Sequence, residues 1–144
     1  MATRARGLRI SKDIEEEIER EMRLRGTTFS EVATGLLREA IRMRRVPGVV
    51  FMEGPAGRRS VLAGTGLDAW EVISTYKSVD GDYERLKRSY EWLSESQLSA
   101  ALDYYALYPE EIDARIEREE WWTPERVRRE LPLPGAAFRG PTDV

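Results

Sequence analysis

The chain has 144 residues, with 23 Lys/Arg against 26 Asp/Glu, a formal charge of −3, and neither cysteine nor histidine. That composition excludes disulfides and thiolate metal sites, and it removes the usual general base and the usual imidazole ligand for zinc, iron or copper. The expectation is a non-enzyme without cofactor or metal; no run of 18 apolar residues offers a membrane span, and the basic start MATRARGLR lacks the apolar stretch of a secretory signal, which points to the cytoplasm.

Charge is unevenly spread. Residues 1–48 carry eleven Lys/Arg and eight Asp/Glu, an excess of three positive charges, whereas residues 49–144 carry twelve and eighteen, an excess of six negative ones. In the first stretch the acids gather at Asp13, Glu15, Glu16, Glu17, Glu19 and Glu21, while Arg4, Arg6 and Arg9 have no acidic neighbour. Leu8 and Ile10 alternate with Gly7 and Arg9, the period of a strand, which turns Leu8 and Ile10 inward and Ala5, Gly7 and Arg9 outward. A lone strand leaves its N–H and C=O groups unpaired, and nothing else in the first 48 residues reads as a strand. The simplest partner is the same strand of a second copy.

Ser11 is the expected N-cap of a first helix whose apolar stripe is Ile14, Ile18 and Met22. Gly26 supplies a left-handed C-cap, and Thr28 with Glu31 forms a T-x-x-E capping box for a second helix. There Phe29, Val32, Ala33, Leu36, Leu37, Ala40 and Ile41 share one face, too large for so small a monomer to cover.

The L-R-I-S-K-D-I start, the Gly turn and the T-F-S-E-V opening of the second helix resemble the ribbon-helix-helix family of bacterial repressors, the group containing the Arc and MetJ repressors. The resemblance implies an intertwined dimer whose two-stranded ribbon enters the DNA major groove. It puts Ala5, Gly7 and Arg9 toward the bases and the first N–H groups of the second helix, at Phe29 and Ser30, on a phosphate. Arg9 can bond guanine bidentately, and a helix N-terminus favours an anion. Specificity then rests on Arg9, with Arg4 and Arg6 acting on phosphates. A one-residue change of register exchanges the faces and puts Arg6 in the groove instead.

Pro47-Gly48 marks a domain boundary. Val49 to Met52 and Ser60 to Ala63 read as a small hairpin around a Gly54-Pro55-Ala56-Gly57 turn, and Gly64-Thr65-Gly66 reads as a turn, since it lacks the Lys and the spacing of a P-loop. Four helices follow. The first carries Leu67, Trp70, Val72 and Ile73; the second Tyr83, Leu86, Tyr90 and Leu93; the third, capped by Ser94-Glu95-Ser96-Gln97, Leu98, Ala101, Leu102, Tyr105, Leu107 and Tyr108; the fourth, opened by Pro109, Ile112 and Ile116. Trp70, Tyr90, Trp92, Tyr104 and Tyr105 are expected in the core. Glu110, Glu111 and Asp113 read as a solvated first turn, and Arg85, Lys87 and Arg88 as a solvated helix face.

Two segments, VLAGTGLDAWEVISTYK and YEWLSESQLSAALDYYALYPEEIDARI, resemble a small helical antitoxin-domain family with a helix-turn-helix-like fold. Many members are encoded beside PIN-like ribonuclease toxins in a VapB-type arrangement. In the tail, Trp121-Trp122, then Arg126, Arg128 and Arg129, then Leu-Pro-Leu-Pro and Arg139, have the composition of an interface rather than an inert end. Two readings of it stand side by side. Either the tail wraps the toxin and lends an arginine to its carboxylate-rich active site, or Trp121 and Trp122 pack on this protein's own second module.

The expected architecture is mainly α: a ribbon-helix-helix module at 1–48 for DNA binding and dimerisation, a small helix-turn-helix-like antitoxin domain with a β-hairpin at 49–120, and a toxin-binding or disordered tail at 121–144. The expected function is a homodimeric antitoxin that binds operator DNA, autorepresses its operon and silences a PIN-like ribonuclease toxin. The alternative is a stand-alone ribbon-helix-helix regulator whose second domain senses a ligand or only oligomerises.

Overall fold

The computed structural model describes residues 3–131. Among these are seven helices and one two-stranded antiparallel sheet, and no helix is long and apolar enough to cross a membrane. The chain divides into two compact units between Arg45 and Val46.

The first unit holds α1 (Lys12–Arg25) and α2 (Phe29–Arg45), packed on each other. Gly26 ends α1 at φ +64°, a conformation that carries no Cβ penalty in glycine, and its N–H donates to the Met22 carbonyl at 2.8 Å. Thr28 caps α2 by accepting from the Glu31 N–H at 3.2 Å, while the Glu31 carboxylate takes the Thr27 hydroxyl. Ser11 occupies the N-cap position of α1 but bonds no helix N–H. Its hydroxyl serves Asp13 instead and is the main reason that carboxyl lies below its ordinary pKa. Of the stripe on α1 only Ile18 is buried, and of the α2 face only Val32.

The second unit opens on a hairpin, β1 (Val49–Gly54) and β2 (Gly57–Leu62), in the register Val49↔Leu62 through Gly54↔Gly57. Gly48 precedes it at φ +103°, and a Cβ there would stand 3.2 Å from that of Ala100, so glycine lets the hairpin start close against a helix. Then come α3 (Ala69–Ser78), α4 (Tyr83–Ser89), α5 (Glu95–Leu107), α6 (Pro109–Trp121) and α7 (Pro124–Glu130). Helix α3 is central: it packs against β2, α4, α5 and α6. Around it Leu62, Val72, Ile73, Leu86, Leu98, Tyr104, Ile112 and Ile116 form the core.

Three expectations change here. Helix α4 stops at Ser89, so Tyr90 and Leu93 lie in the connection to α5 rather than in the helix. In that connection Leu93 takes the buried place, and Trp92, expected in the core, is 64% exposed with its ring edge-on to Tyr90. Trp70, Tyr90 and Tyr105 only line the core; of the five aromatics Tyr104 alone is fully enclosed.

The charged turn at the start of α6 is tied to its neighbours. Lys77 donates to Asp113 Oδ1 at 2.6 Å and the Tyr105 hydroxyl donates to the same oxygen at 2.8 Å, with Lys77 lying over the Tyr105 ring. Lys77 first, then Tyr105, holds the Asp113 carboxyl below its ordinary range, and Asp113 raises Lys77. Both side chains of the ion pair are about half exposed, so water screens them. Asp113→Asn is expected to lower stability by less than about 1 kcal/mol at neutral pH, measured by urea unfolding. Because the folded pKa of Asp113 is depressed, its contribution is present above the unfolded value of about 3.9. It is lost as pH falls through the lower folded value, so the gap between wild type and variant closes in acid. A gap that persists there would show that packing, not charge, is at work.

Candidate functional site

Arg4, Arg6, Gly7 and Arg9 all lie in residues 3–11, which carry no helix or strand in the single chain. Residues 3–10 make no hydrogen bond among the described residues, and all but Ile10 are exposed. The backbone groups that a strand would pair are thus open: strand pairing needs a second strand, and the described residues of this unit contain none. Phe29 and Ser30 are the first two residues of the 17-residue helix α2. Their N–H groups have no acceptor among the described residues, because the Thr28 hydroxyl serves Glu31 instead. Two free N–H groups at the positive end of a helix form a ready seat for an oxyanion.

Beside these groups lies an uncovered apolar surface. Leu8 and Ile14, and on α2 Leu36, Leu37 and Ile41, are exposed. Two buried side chains, Ile18 and Val32, are little core for a unit of this length.

In the tail, Trp121 ends α6 and Thr123 caps α7. The Trp121 and Trp122 rings meet edge to face at 4.7 Å, and they are 46% and 38% exposed, outside the core of the second unit. Arg126 lies 4.7 Å over the Trp121 ring and donates to the Trp121 carbonyl at 2.9 Å. Arg128 donates to the Pro124 carbonyl at 3.2 Å, and Arg129 pairs with Glu130 at 3.5 Å. Arg126 is therefore bound into the tryptophan turn, while Arg128 and Arg129 make only short-range contacts on an exposed helix. Arg139 and the Leu-Pro-Leu-Pro run beyond Leu131 lie outside the described residues.

A further cluster escaped the sequence reading. Arg58 and Arg59 on β2, Asp68 and Trp70 at the start of α3, and Glu111, Arg115 and Arg118 on α6 line a cleft of about 80 Å³. The Gly64-Thr65-Gly66 turn builds it. Thr65 Oγ1 donates to the Leu62 carbonyl at 2.8 Å and accepts the Leu67 N–H at 2.9 Å, and the Leu62 N–H reaches the Leu67 carbonyl at 2.9 Å. The closed turn sets Asp68 beside β2. There its carboxylate, 4% exposed as a residue, takes Arg59 and, at 3.1 Å, the Trp70 indole N–H. The only sequence signals were the Arg58-Arg59 pair and the i, i+3 spacing of Arg115 and Arg118, neither of which names a partner element.

Glu110, Glu111 and Asp113 do not act as one cluster: Glu111 accepts from the Tyr104 hydroxyl, and Asp113 is held by Lys77 and Tyr105. No group of three acidic side chains suited to a metal ion occurs among the described residues. On α4, Lys87 pairs with Glu95 at 2.7 Å. No family model, curated protein or solved structure matches the chain.

Proposed function

We propose that this chain is a homodimeric, DNA-binding antitoxin. In this reading the first unit pairs residues 7–10 with those of a second copy, presents the resulting ribbon to operator DNA, and so represses its own operon. The second unit and the Trp121-Trp122 turn bind and silence a small ribonuclease toxin of the PIN-like type. The observation that supports it most directly is the state of the first unit. Among the described residues, the segment carrying Arg4, Arg6 and Arg9 has no backbone partner, and it precedes two helices whose apolar face is uncovered. One second copy would satisfy both wants at once. The open N–H groups of Phe29 and Ser30 support a phosphate contact, and the half-exposed tryptophans support a protein partner rather than a place in the core.

The test is co-expression with the neighbouring reading frame, then affinity purification and size exclusion. A co-eluting small protein that is toxic alone supports the antitoxin role, and deletion of residues 121–144 should then abolish neutralisation. A clean homodimer without a partner moves the function to a stand-alone regulator. For the DNA half, affinity for the chain's own promoter should fall steeply with salt, and Arg9→Ala should cost about 1–3 kcal/mol and relax specificity. Unchanged DNA affinity in Arg9→Ala would remove Arg9 from the groove.

A further inference from the structure

The Arg-lined cleft of the second unit plays no part in the proposed dimer, operator or toxin contacts, and its chemistry is specific. We propose that it is a binding site for a phosphoryl oxyanion. Arginines reach it from two different elements, Arg58 and Arg59 from β2 and Arg115 and Arg118 from α6. Each guanidinium carries five N–H donors. The Arg118 side chain is exposed and makes no hydrogen bond or ion pair among the described residues. Arg115 spends one nitrogen on Glu119 at 2.8 Å and lies 5.5 Å from the centre of the Trp70 ring, while its Nε is buried without an acceptor.

The acids nearby already have partners. Asp68 is occupied by Arg59 and Trp70, and Glu111 accepts from the Tyr104 hydroxyl. Glu53 and Glu119 hold Arg58 and Arg115 from the rim, through pairs that water screens. The Arg118 guanidinium and the Arg115 Nε, which keep donors without an acceptor, suit a ligand that brings several charged oxygens. A phosphoryl group does so, and arginine forks match it bidentately. The cleft, about 80 Å³ and open to solvent, has room for a tetrahedral oxyanion. Inorganic phosphate and a phosphodiester of nucleic acid present the same chemistry.

The experiment is nitrogen–proton NMR of the full chain, following the arginine Nε–H and tryptophan indole signals. Inorganic phosphate is titrated at pH 7 against chloride of equal ionic strength. Phosphate should move the Arg115 Nε–H and the Trp70 indole signals saturably, chloride should not, and Arg118→Ala should weaken the phosphate response about tenfold or more. Arg118 is exposed and outside the core, so this variant keeps the fold, which circular dichroism verifies. An equal response to chloride, or an unchanged midpoint in Arg118→Ala, overturns the proposal. A short duplex then distinguishes the sources. If it produces the same shifts and competes with phosphate, the site holds a nucleic-acid phosphate; if it does not, the ligand is free phosphate. Arg9→Ala should leave the phosphate titration unchanged, so failure of the ribbon reading does not disturb this one.

Discussion

Asp68→Ala is expected to destabilise the second unit by about 3 kcal/mol, read as a lower urea midpoint at unchanged slope. Three losses coincide in one side chain. The buried carboxylate holds the Arg59 guanidinium, accepts the Trp70 indole N–H and stands at the N-cap of α3, the helix on which the rest of the unit packs. Removing it leaves a partly buried cation and a partly buried indole N–H without their acceptor, and uncapping a helix adds about 1 kcal/mol. The Arg59 side chain is 30% exposed, so water takes up part of its stranded charge, and the loss sits at the lower end for a broken buried pair. Asp68→Asn should lose less, because an amide oxygen still accepts one bond and still caps. A double-mutant cycle with Arg59→Ala should give a coupling above about 1 kcal/mol. A loss below about 1 kcal/mol in Asp68→Ala would mean that the contact with Arg59 is incidental and that α3 is held by its apolar face alone.

That node shows where sequence reading stopped. Signals confined to a few neighbouring residues were legible: the Gly26 cap, the Thr28 and Ser94 caps, Pro109 at the start of α6 and the Pro55-Ala56 hairpin turn. Each is settled by backbone groups within four residues. Asp68 was visible as a helix start, but its ion pair depends on how Leu62 and Leu67 close the turn that brings β2 back beside it. The Arg cleft depends on two elements more than fifty residues apart, and periodicity carries no information about which faces meet. Trp92 failed for a related reason. An aromatic next to Leu93 in a connection has no periodicity to assign it a side, and the buried place went to the leucine. In the first unit the apolar stripe was legible, while no other described element of the unit covers it.

Leu37→Asp tests that open stripe most sharply. In the isolated chain Leu37 is 53% exposed on α2, and an exposed leucine replaced by aspartate ordinarily changes stability by no more than about 0.5 kcal/mol. If the proposed dimer buries this face, the same substitution forces a carboxylate into an apolar interface, which costs several kcal/mol. The loss is not confined to association, since Ile18 and Val32 are the only buried side chains of the unit among the described residues, and folding and dimerisation of so small a core are one equilibrium. The expected result is a monomer at micromolar concentration by light scattering, loss of helical signal from the first unit, and loss of promoter binding, with the unfolding of the second unit unchanged. Ile41→Asp should behave alike, whereas Arg38→Asp, exposed on the same helix outside its apolar set, should leave the dimer intact. A Leu37→Asp protein that keeps its helix content and its hydrodynamic size would mean that the first unit stands alone with its apolar face in water, and the ribbon would have no second strand from which to form.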